Sequence, residues 1–343
     1  MKRINLALQG GGAHGAFTWG VLDRFLQDEE IEIAAISGTS AGALNAAALK
    51  AGMIEDGRAG ARANLDWLWG QVGAITDEGL SAWVGAWGAT APFWAKAMEY
   101  SLPYQGFDLT TRLFSPYVYG PLMQNPLRRI VEQFSYDKVC ANEGPLIHIC
   151  ATNVRSGKIR VFQGEEISPE VILASACLPS LFQAVEFVDP KTGKEEAFWD
   201  GGYTGNPALF PLFEPALPDD ILIVNINPLH REDLPRDSQA IANRINEISF
   251  NSSLLRELRA IDFVRRLIAD GKVQKGAMKN VLVHMIADDD LMNDLNVATK
   301  TIPNAVVLGR LKAAGQQAAE QFLATHKGAL NKRSTVDLEA MFA

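Results

Sequence analysis

The chain has 343 residues, which is enough for one large domain or two modest ones. Hydrophobic residues make up 48% of it and charged residues 21%, a balance that is typical of a folded globular protein and excludes a disordered chain. The net charge of −8 makes the surface as a whole repel nucleic acid and anionic membranes, so we expect no nucleic-acid partner.

The first fifty residues predict a strand, a loop, a helix, a second strand, a turn and a second helix. Residues 4–8 and 31–36 are short apolar runs that are typical of buried strands. Apolar residues recur at helical spacing over 17–25, and residues 43–50 are rich in alanine. Because strands and helices alternate, this order favours a parallel sheet with helices on both faces.

The pattern becomes irregular between about residues 60 and 119. Five of the seven tryptophans lie there, namely Trp67, Trp69, Trp83, Trp87 and Trp94. Residues 79–95 include no charged side chain, but glycine and proline interrupt them and the stretch is too short to span a bilayer. We predict a helical cap insertion, whose tryptophans either pack over the core or line an acyl channel or lipid interface.

The second half of the chain predicts further strands and two long helices. The strands are expected at residues 146–151, 158–162, 184–188, 197–199, 221–226 and 281–286. Apolar residues recur over 238–269 as on an amphipathic helix, and another helix is expected over 304–324. Since we find no repeat and no convincing linker, we predict a single domain over 1–343, with a helical C-terminal portion from about residue 238.

The cysteines and the N-terminus point to the same compartment. Cys140, Cys150 and Cys177 form no C-x-x-C pair and leave an odd thiol however they pair, which fits buried thiols in a reducing compartment. The first apolar run ends at Gln9 and is too short for a secretory leader. We therefore expect a cytoplasmic protein, with peripheral contact at a membrane left open.

A G-x-S-x-G pentapeptide, centred on Ser40, lies between a predicted strand and a predicted helix. A sharp strand-to-helix turn needs small residues at Gly38 and Gly42, and it exposes the serine hydroxyl at a helix N-terminus. This context predicts a nucleophile, whereas the alternative is an ordinary serine-rich helix cap.

A glycine loop, Gly10-Gly11-Gly12-Ala13-His14-Gly15, also follows a strand and opens a helix. Its G-x-G-x-x-G spacing allows a dinucleotide site, and hence an oxidoreductase. The acid that should contact the ribose is not at the end of the second strand, because Glu30 and Glu32 lie at its start. The other use of such a loop is an oxyanion hole, in which backbone amides meet a tetrahedral intermediate.

A nucleophilic serine needs a base, and the histidines offer no distinctive motif. His148 and His284 fall within predicted strands, and His230 and His326 are expected at the surface. Asp200 ends a short strand and precedes two glycines, a pattern that also marks ordinary turns.

Two charged clusters are better explained without a ligand. Residues 288–290 are three consecutive aspartates after a strand, but their spacing is not that of a cation loop, so an exposed acidic loop is favoured. The arginines of the long helix, Arg256, Arg259, Arg265 and Arg266, are expected on its solvated side rather than on a phosphate.

Taken in order, the motifs resemble those of the patatin-like phospholipase family, most closely its bacterial branch. The resemblance extends from the N-terminus to about Pro211, and its four motifs are Gly10-Gly11-Gly12-x-x-Gly15, Gly38-x-Ser40-x-Gly42, Ala174-Ser175-x-x-x-Pro179 and Asp200-Gly201-Gly202. It implies a three-layer α/β/α sandwich with a mainly parallel central sheet and a helical cap insertion.

The resemblance also implies the roles of individual residues. Ser40 would attack an acyl ester and Asp200 would serve directly as its base, without metal, cofactor or catalytic histidine. Amides of Gly10, Gly11 and Gly12 would form the oxyanion hole. The residues expected near the substrate are His14, Ser175 and Pro179. His14 stands where many members have Arg or Lys, and histidine is only partly charged near neutrality.

The resemblance implies a serine esterase that cleaves carboxylic ester bonds of phospholipids or lysophospholipids through an acyl-enzyme. The same dyad acting on a neutral lipid, a thioester or a storage polyester is the alternative. A lipid-binding protein without activity would not need both Ser40 and Asp200. The expected partner is a lipid or acyl-ester substrate, and the oligomeric state is left open.

Overall fold

One mixed sheet of eight strands organises the computed structural model, which describes residues 1–75, 115–119, 125–236, 238–274, 276–295, 300 and 303–342. The strands are β1 Lys2–Leu8, β2 Ile31–Thr39, β3 Leu146–Asn153, β4 Ile159–Gln163, β5 Val185–Asp189, β6 Lys194–Asp200, β7 Asp220–Val224 and β8 Leu282–Ile286. Their order is β5-β6-β3-β2-β1-β7-β8, with β4 paired to β3. The pairs from β3 to β8 through β2, β1 and β7 are parallel, which confirms the predicted mainly parallel sheet.

Helices lie on both faces of this sheet. In the described part of the chain they are α1 Gly15–Phe25, α2 Ala41–Ala74, α3 Pro116–Tyr119, α4 Arg128–Val131, α5 Tyr136–Val139, α6 Pro169–Ser175, α7 Ser238–Ala269, α8 Asp289–Asp294, α9 Ala305–His326 and α10 Leu338–Phe342. Successive strand residues point to opposite faces of the sheet, so one strand contributes side chains to two hydrophobic cores, one on each face. In β7, Leu222 and Val224 join the core under α1, α2 and α9, whereas Ile221 and Ile223 join the core under α7. The three-layer α/β/α sandwich is therefore confirmed.

Helix α2 continues well beyond the alanine-rich stretch that predicts it. It bends at Asp56 and Gly57, where Gly57 has a φ of 55°, and then runs on to Ala74. Residues 60–74 are thus regular helix, and the helical insertion predicted over about 60–119 is otherwise described only at residues 115–119. Trp69 is buried in the core and stacks on Trp19 with 6.3 Å between ring centroids. Trp83, Trp87 and Trp94, predicted to pack over the core or to meet lipid, lie outside the described residues.

Helix α7 has the predicted bounds but not the predicted buried face over its first half. Ile241, Ile245 and Ile248 are 43%, 60% and 54% exposed. Glu247 on the same turns is only 3% exposed at its side chain. Polar side chains of this half therefore face inward, and the reason is found in the cavity described below.

The strand ends bring the predicted site residues to one edge of the sheet. Strands β1 and β2 are parallel, and their pairing continues to Leu8 and Gly38, so the loops that follow them leave the same edge. Strand β6 runs antiparallel to β3 and ends at Asp200, which pairs with Ala151. The preceding residue, Cys150, pairs with Thr39 at the end of β2. This register places Asp200 beside the serine turn.

Candidate active site

Ser40 occupies a strained turn between β2 and α2. Its φ of 54° and ψ of −119° lie in a region that non-glycine residues rarely adopt, which costs on the order of 1–3 kcal/mol. The turn fits against β1 because Gly42 has no side chain, since an added Cβ there would overlap the carbonyl oxygen of Leu8. Ser40 borders a cavity of about 490 Å³ and is 7% exposed. This is the geometry expected of a nucleophile held ready for a ligand.

Ser175 holds this turn in place. Its hydroxyl accepts a hydrogen bond from the amide of Ser40 at 2.9 Å and donates one to the carbonyl of Cys150 at 2.7 Å. Ser175 is completely buried and does not line the cavity, and neither does Pro179, although Leu178 does. The structure therefore gives Ser175 a supporting contact with the nucleophile instead of the substrate contact that the resemblance implies.

The glycine loop packs directly on the serine turn. An added Cβ on Gly10 would lie 2.6 Å from the Cβ of Ser40, so only glycine allows this approach. The amide of Gly10 donates to Oδ1 of Asn206 at 2.6 Å, which removes it from the amides that can face an oxyanion. Gly11 and Gly12 do border the cavity. Of the three glycines predicted to form an oxyanion hole, Gly11 and Gly12 thus remain as candidates.

Hydrogen bonds hold the backbone of Asp200 and one of its two carboxylate oxygens. Its amide donates to the carbonyl of Cys177 at 2.8 Å, and its carbonyl accepts from Thr152 at 2.8 Å. In the carboxylate, Oδ1 accepts from the amide of Gly202 at 2.7 Å, and Oδ2 has no hydrogen bond of ordinary geometry among the described residues. Burial raises the pKa of Asp200 to about 7, and hydrogen bonds from Gly202 and from the Ser40 hydroxyl act in the opposite direction. The Ser40 hydroxyl is therefore close enough to Asp200 to affect the ionisation of its carboxyl group.

Four of the histidines lie away from Ser40 and are not placed to act as its base. His148 and His284 are buried in strands, as predicted, and His284 is hydrogen-bonded to Asp220 at 2.9 Å. His230 is exposed and His326 half-buried. None of these four borders the cavity that contains Ser40.

His14 is buried instead of facing the substrate. Burial, with Lys300 and Arg231 nearby, holds the pKa of His14 well below its usual value, so the ring is neutral near neutral pH. The cationic support expected from His14 is therefore not available, and His14 does not line the cavity. A positively charged side chain that does border the cavity is Lys300.

The cavity has an apolar wall and a polar end. The apolar side chains along it include Leu44, Trp69, Leu178, Leu181, Phe182 and Phe250. At the polar end lie Asn227, Glu247 and Lys300. An amphipathic ligand would fit such a cavity, with its apolar part along the wall and its polar part at the other end.

Sequence reasoning missed Asn206, Asn227 and Lys300. Asn206 and Asn227 hold the glycine loop from both sides, because Asn227 donates to the carbonyl of Gly10 at 2.7 Å. No short motif surrounds these residues, so only a signal from related sequences could have marked them.

The described residues do not support the alternative dinucleotide site or the alternative cation site. Glu30 and Glu32 lie at the start of β2, about 20 Å from the glycine loop along the strand. Asp288 caps α8 by accepting from the amide of Leu291 at 3.0 Å, so the acidic run begins a helix.

Within the described ranges no group of three or more His, Cys, Asp or Glu side chains could hold a metal ion. No described helix is both long and apolar enough to cross a membrane.

Comparison with known proteins gives a family match and a similar structure. The family model for the patatin-like phospholipases matches residues 6–213, which is more than half of the chain. VipD from Legionella pneumophila is similar in structure, with a TM-score of 0.44 and 15% sequence identity, over 95% of this chain and 67% of that chain. No curated protein matches the sequence. The family match includes the glycine loop, the serine turn and Asp200.

Proposed function

The chain belongs to the patatin-like phospholipase family, and on that premise we propose that it is a serine esterase with a Ser40–Asp200 dyad. The observation that carries the proposal is the pair itself, a strained serine beside a buried carboxylate with a pKa raised to about 7. An ordinary aspartate, with a pKa of 3.8, would be a much weaker base. Matching the pKa of the base to neutral pH favours proton transfer in both directions.

The reaction would proceed in two steps. Ser40 attacks the carbonyl carbon of the ester while Oδ2 of Asp200 accepts the hydroxyl proton, and the protonated Asp200 then passes that proton to the leaving alcohol. Water attacks the acyl-enzyme in the same way, and Asp200 again accepts and returns a proton. The amides of Gly11 and Gly12 would stabilise the oxyanion, together with the N-terminus of α2.

The cavity supports a lipid-like substrate. Its apolar wall would hold an acyl chain, and its polar end would hold the group on the other side of the ester. We therefore propose phospholipids or lysophospholipids as substrates. Neutral lipids, thioesters or storage polyesters would be the substrates if the polar end played no part in binding.

We further propose that one domain over 1–343 works in the cytoplasm and meets lipid at a membrane surface. The exposed side chains Ile241, Ile245 and Ile248 follow one another at helical spacing on α7, the helix whose inner side borders the cavity. Such a surface supports a peripheral contact that places the cavity near lipid.

Labelling with a fluorophosphonate tests the dyad. We expect label on Ser40 in the wild type, none in Ser40→Ala, and labelling slowed about 100-fold or more in Asp200→Asn. His148→Gln is the matched control, because His148 is a buried base candidate that does not border the cavity. Loss of labelling in His148→Gln with an unchanged melting temperature would replace the dyad with a triad. A panel of phosphatidylcholine, triacylglycerol and acyl thioester then separates the substrate classes.

A further inference from the structure

The polar end of the cavity is built on one buried carboxylate shared by three cations. Glu247 accepts from Arg231 at 2.8 and 2.7 Å, from Arg244 at 3.3 Å and from Lys300 at 3.4 Å. Its side chain is only 3% exposed. Asp289 is a further carboxylate near Arg231. Positive charge therefore exceeds negative charge in this cluster, even when Asp289 is included.

Lys300 is the cation of the cluster that faces the cavity. Lys300 and Glu247 border the cavity, whereas Arg231 and Arg244 lie behind them. Within the described part of the chain the Lys300 ammonium has two contacts, with Glu247 and with Oδ1 of Asn227, and both are long at 3.4 Å. An ammonium has three donors, so this one can accommodate a closer acceptor. Burial lowers the pKa of Lys300, and Arg231 adds to this effect while Glu247 opposes it.

The ammonium is also close to the site of chemistry. The Lys300 backbone lies on the glycine loop, because an added Cβ on Gly12 would overlap the Lys300 carbonyl oxygen. Asn227 connects the two, since it accepts from Lys300 and donates to the carbonyl of Gly10 at 2.7 Å. An anionic group bound by Lys300 would therefore lie beside the amides of Gly11 and Gly12.

We propose that Lys300 forms a subsite for a phosphate group and thereby selects esters that have a phosphate a few bonds from the scissile carbonyl. This rests on the proposed function, and it deepens it by assigning the headgroup end of the substrate. A glycerophospholipid has this arrangement, because its phosphodiester and its acyl esters share one glycerol. Lysine binds phosphate as a point charge, and Glu247 with its two arginines holds it in place.

Kinetics on two matched soluble substrates test the selection. Dihexanoylphosphatidylcholine, below its micelle concentration, and dihexanoylglycerol differ only in the phosphocholine group. We expect Lys300→Met to reduce kcat/KM on the phospholipid about 10- to 100-fold more than on the diacylglycerol, mainly through KM. Lys300→Arg should restore most of the difference, because it keeps the charge. Lys138→Met is the control, since Lys138 is also a partly buried lysine paired with a glutamate, Glu55, but it does not border the cavity.

Equal losses on the two substrates in Lys300→Met, with an unchanged melting temperature, would overturn the proposal. So would a wild-type enzyme that does not prefer the phospholipid. These outcomes leave the dyad intact, because fluorophosphonate labelling of Ser40 is scored separately.

A binding measurement keeps the proposal testable if no ester is hydrolysed. Calorimetry on the Ser40→Ala protein should detect glycerophosphocholine, and the Lys300→Met change should abolish that binding. No binding to Ser40→Ala would refute the subsite. Lys300-dependent binding without hydrolysis of any ester would uphold the subsite and refute the proposed function. Lys300-dependent binding of inorganic phosphate alone would mean that the subsite takes the free ion, which overturns its role in substrate selection.

Discussion

Replacing Asp200 by asparagine should remove activity and at the same time stabilise the fold above neutral pH. Asparagine has the shape of the carboxyl group and can keep the hydrogen bond from Gly202 through Oδ1. Its amide nitrogen would take the place of Oδ2, which has no ordinary hydrogen bond in the described structure, and could donate to Ser40. The substitution thus removes the charge while preserving the packing.

The size of the effect follows from the pKa of Asp200. Below about pH 4 the carboxyl is protonated in both the folded and the unfolded chain, and between about pH 4 and 7 it is protonated only in the folded chain. Wild-type stability should therefore fall as pH rises through this window, and above about pH 7 the folded state retains the full penalty. A pKa raised from 3.8 to about 7 corresponds to about 4 kcal/mol at most, so we expect Asp200→Asn to gain about 2–4 kcal/mol at pH 8.

Urea unfolding of both proteins from about pH 4 to pH 8 measures this gain. The difference between mutant and wild type should be smallest at about pH 4, grow up to about pH 7 and then level off. Glu257→Gln is the matched control, because burial also raises the pKa of Glu257 to about 7 and that residue does not border the cavity. It should gain stability in the same window without losing esterase activity.

The same ionisation should appear in the kinetics. On a neutral soluble ester, kcat/KM of the wild type should fall about tenfold for each pH unit below about pH 7, because only ionised Asp200 accepts the proton. An Asp200→Asn protein that is less stable than wild type at pH 8 would refute the reasoning. A flat pH profile would refute it as well.

Three further perturbations test the geometry of the site. Ser175→Ala should lower kcat about 10- to 100-fold with little change in KM, because it frees the amide of the nucleophile; an equal rise in KM would argue against a supporting role. Gly42→Ala should prevent soluble expression because its Cβ would overlap β1, whereas Gly70→Ala, in open space on α2, should raise the free energy of unfolding by about 0.5–1 kcal/mol. Trp83→Ala with Trp87→Ala should reduce turnover of vesicle lipids far more than of a soluble ester; equal losses with a lower melting temperature would assign both rings to the core.

The sheet and the serine turn could be predicted because their signals are local. Most of the strands coincide with short apolar runs, whose side chains are buried against the helices, whereas in β6 the apolar run covers only residues 197–199 of Lys194–Asp200. Ser40 could be found because a sharp turn against β1 requires glycine at fixed spacing. These constraints act within about five residues, and a single sequence displays them.

Asp200 could be found only by resemblance, and Lys300 not at all. An Asp-Gly pair marks many turns, so its residue types do not distinguish a base from a turn residue. The basicity of Asp200 arises from burial beneath β3, α6 and the serine turn, which are contributed by distant parts of the chain. Lys300 meets Gly12 and Glu247 only after the whole sandwich has formed.

Helix α7 shows how a site can reverse a pattern that elsewhere predicts burial correctly. Leu254, Leu258 and Ile261 face the core, as periodicity requires. About two turns earlier, at Glu247, the rule fails, because the inner side meets the cavity that Lys300 also borders. Glu247 therefore turns inward, and the isoleucines at 241, 245 and 248 are left outside. Burying a charge is costly unless the charge is paired, so an inward-facing glutamate persists only where cations such as Arg231 compensate it. The reversed pattern on α7 is therefore itself a marker of the proposed binding site.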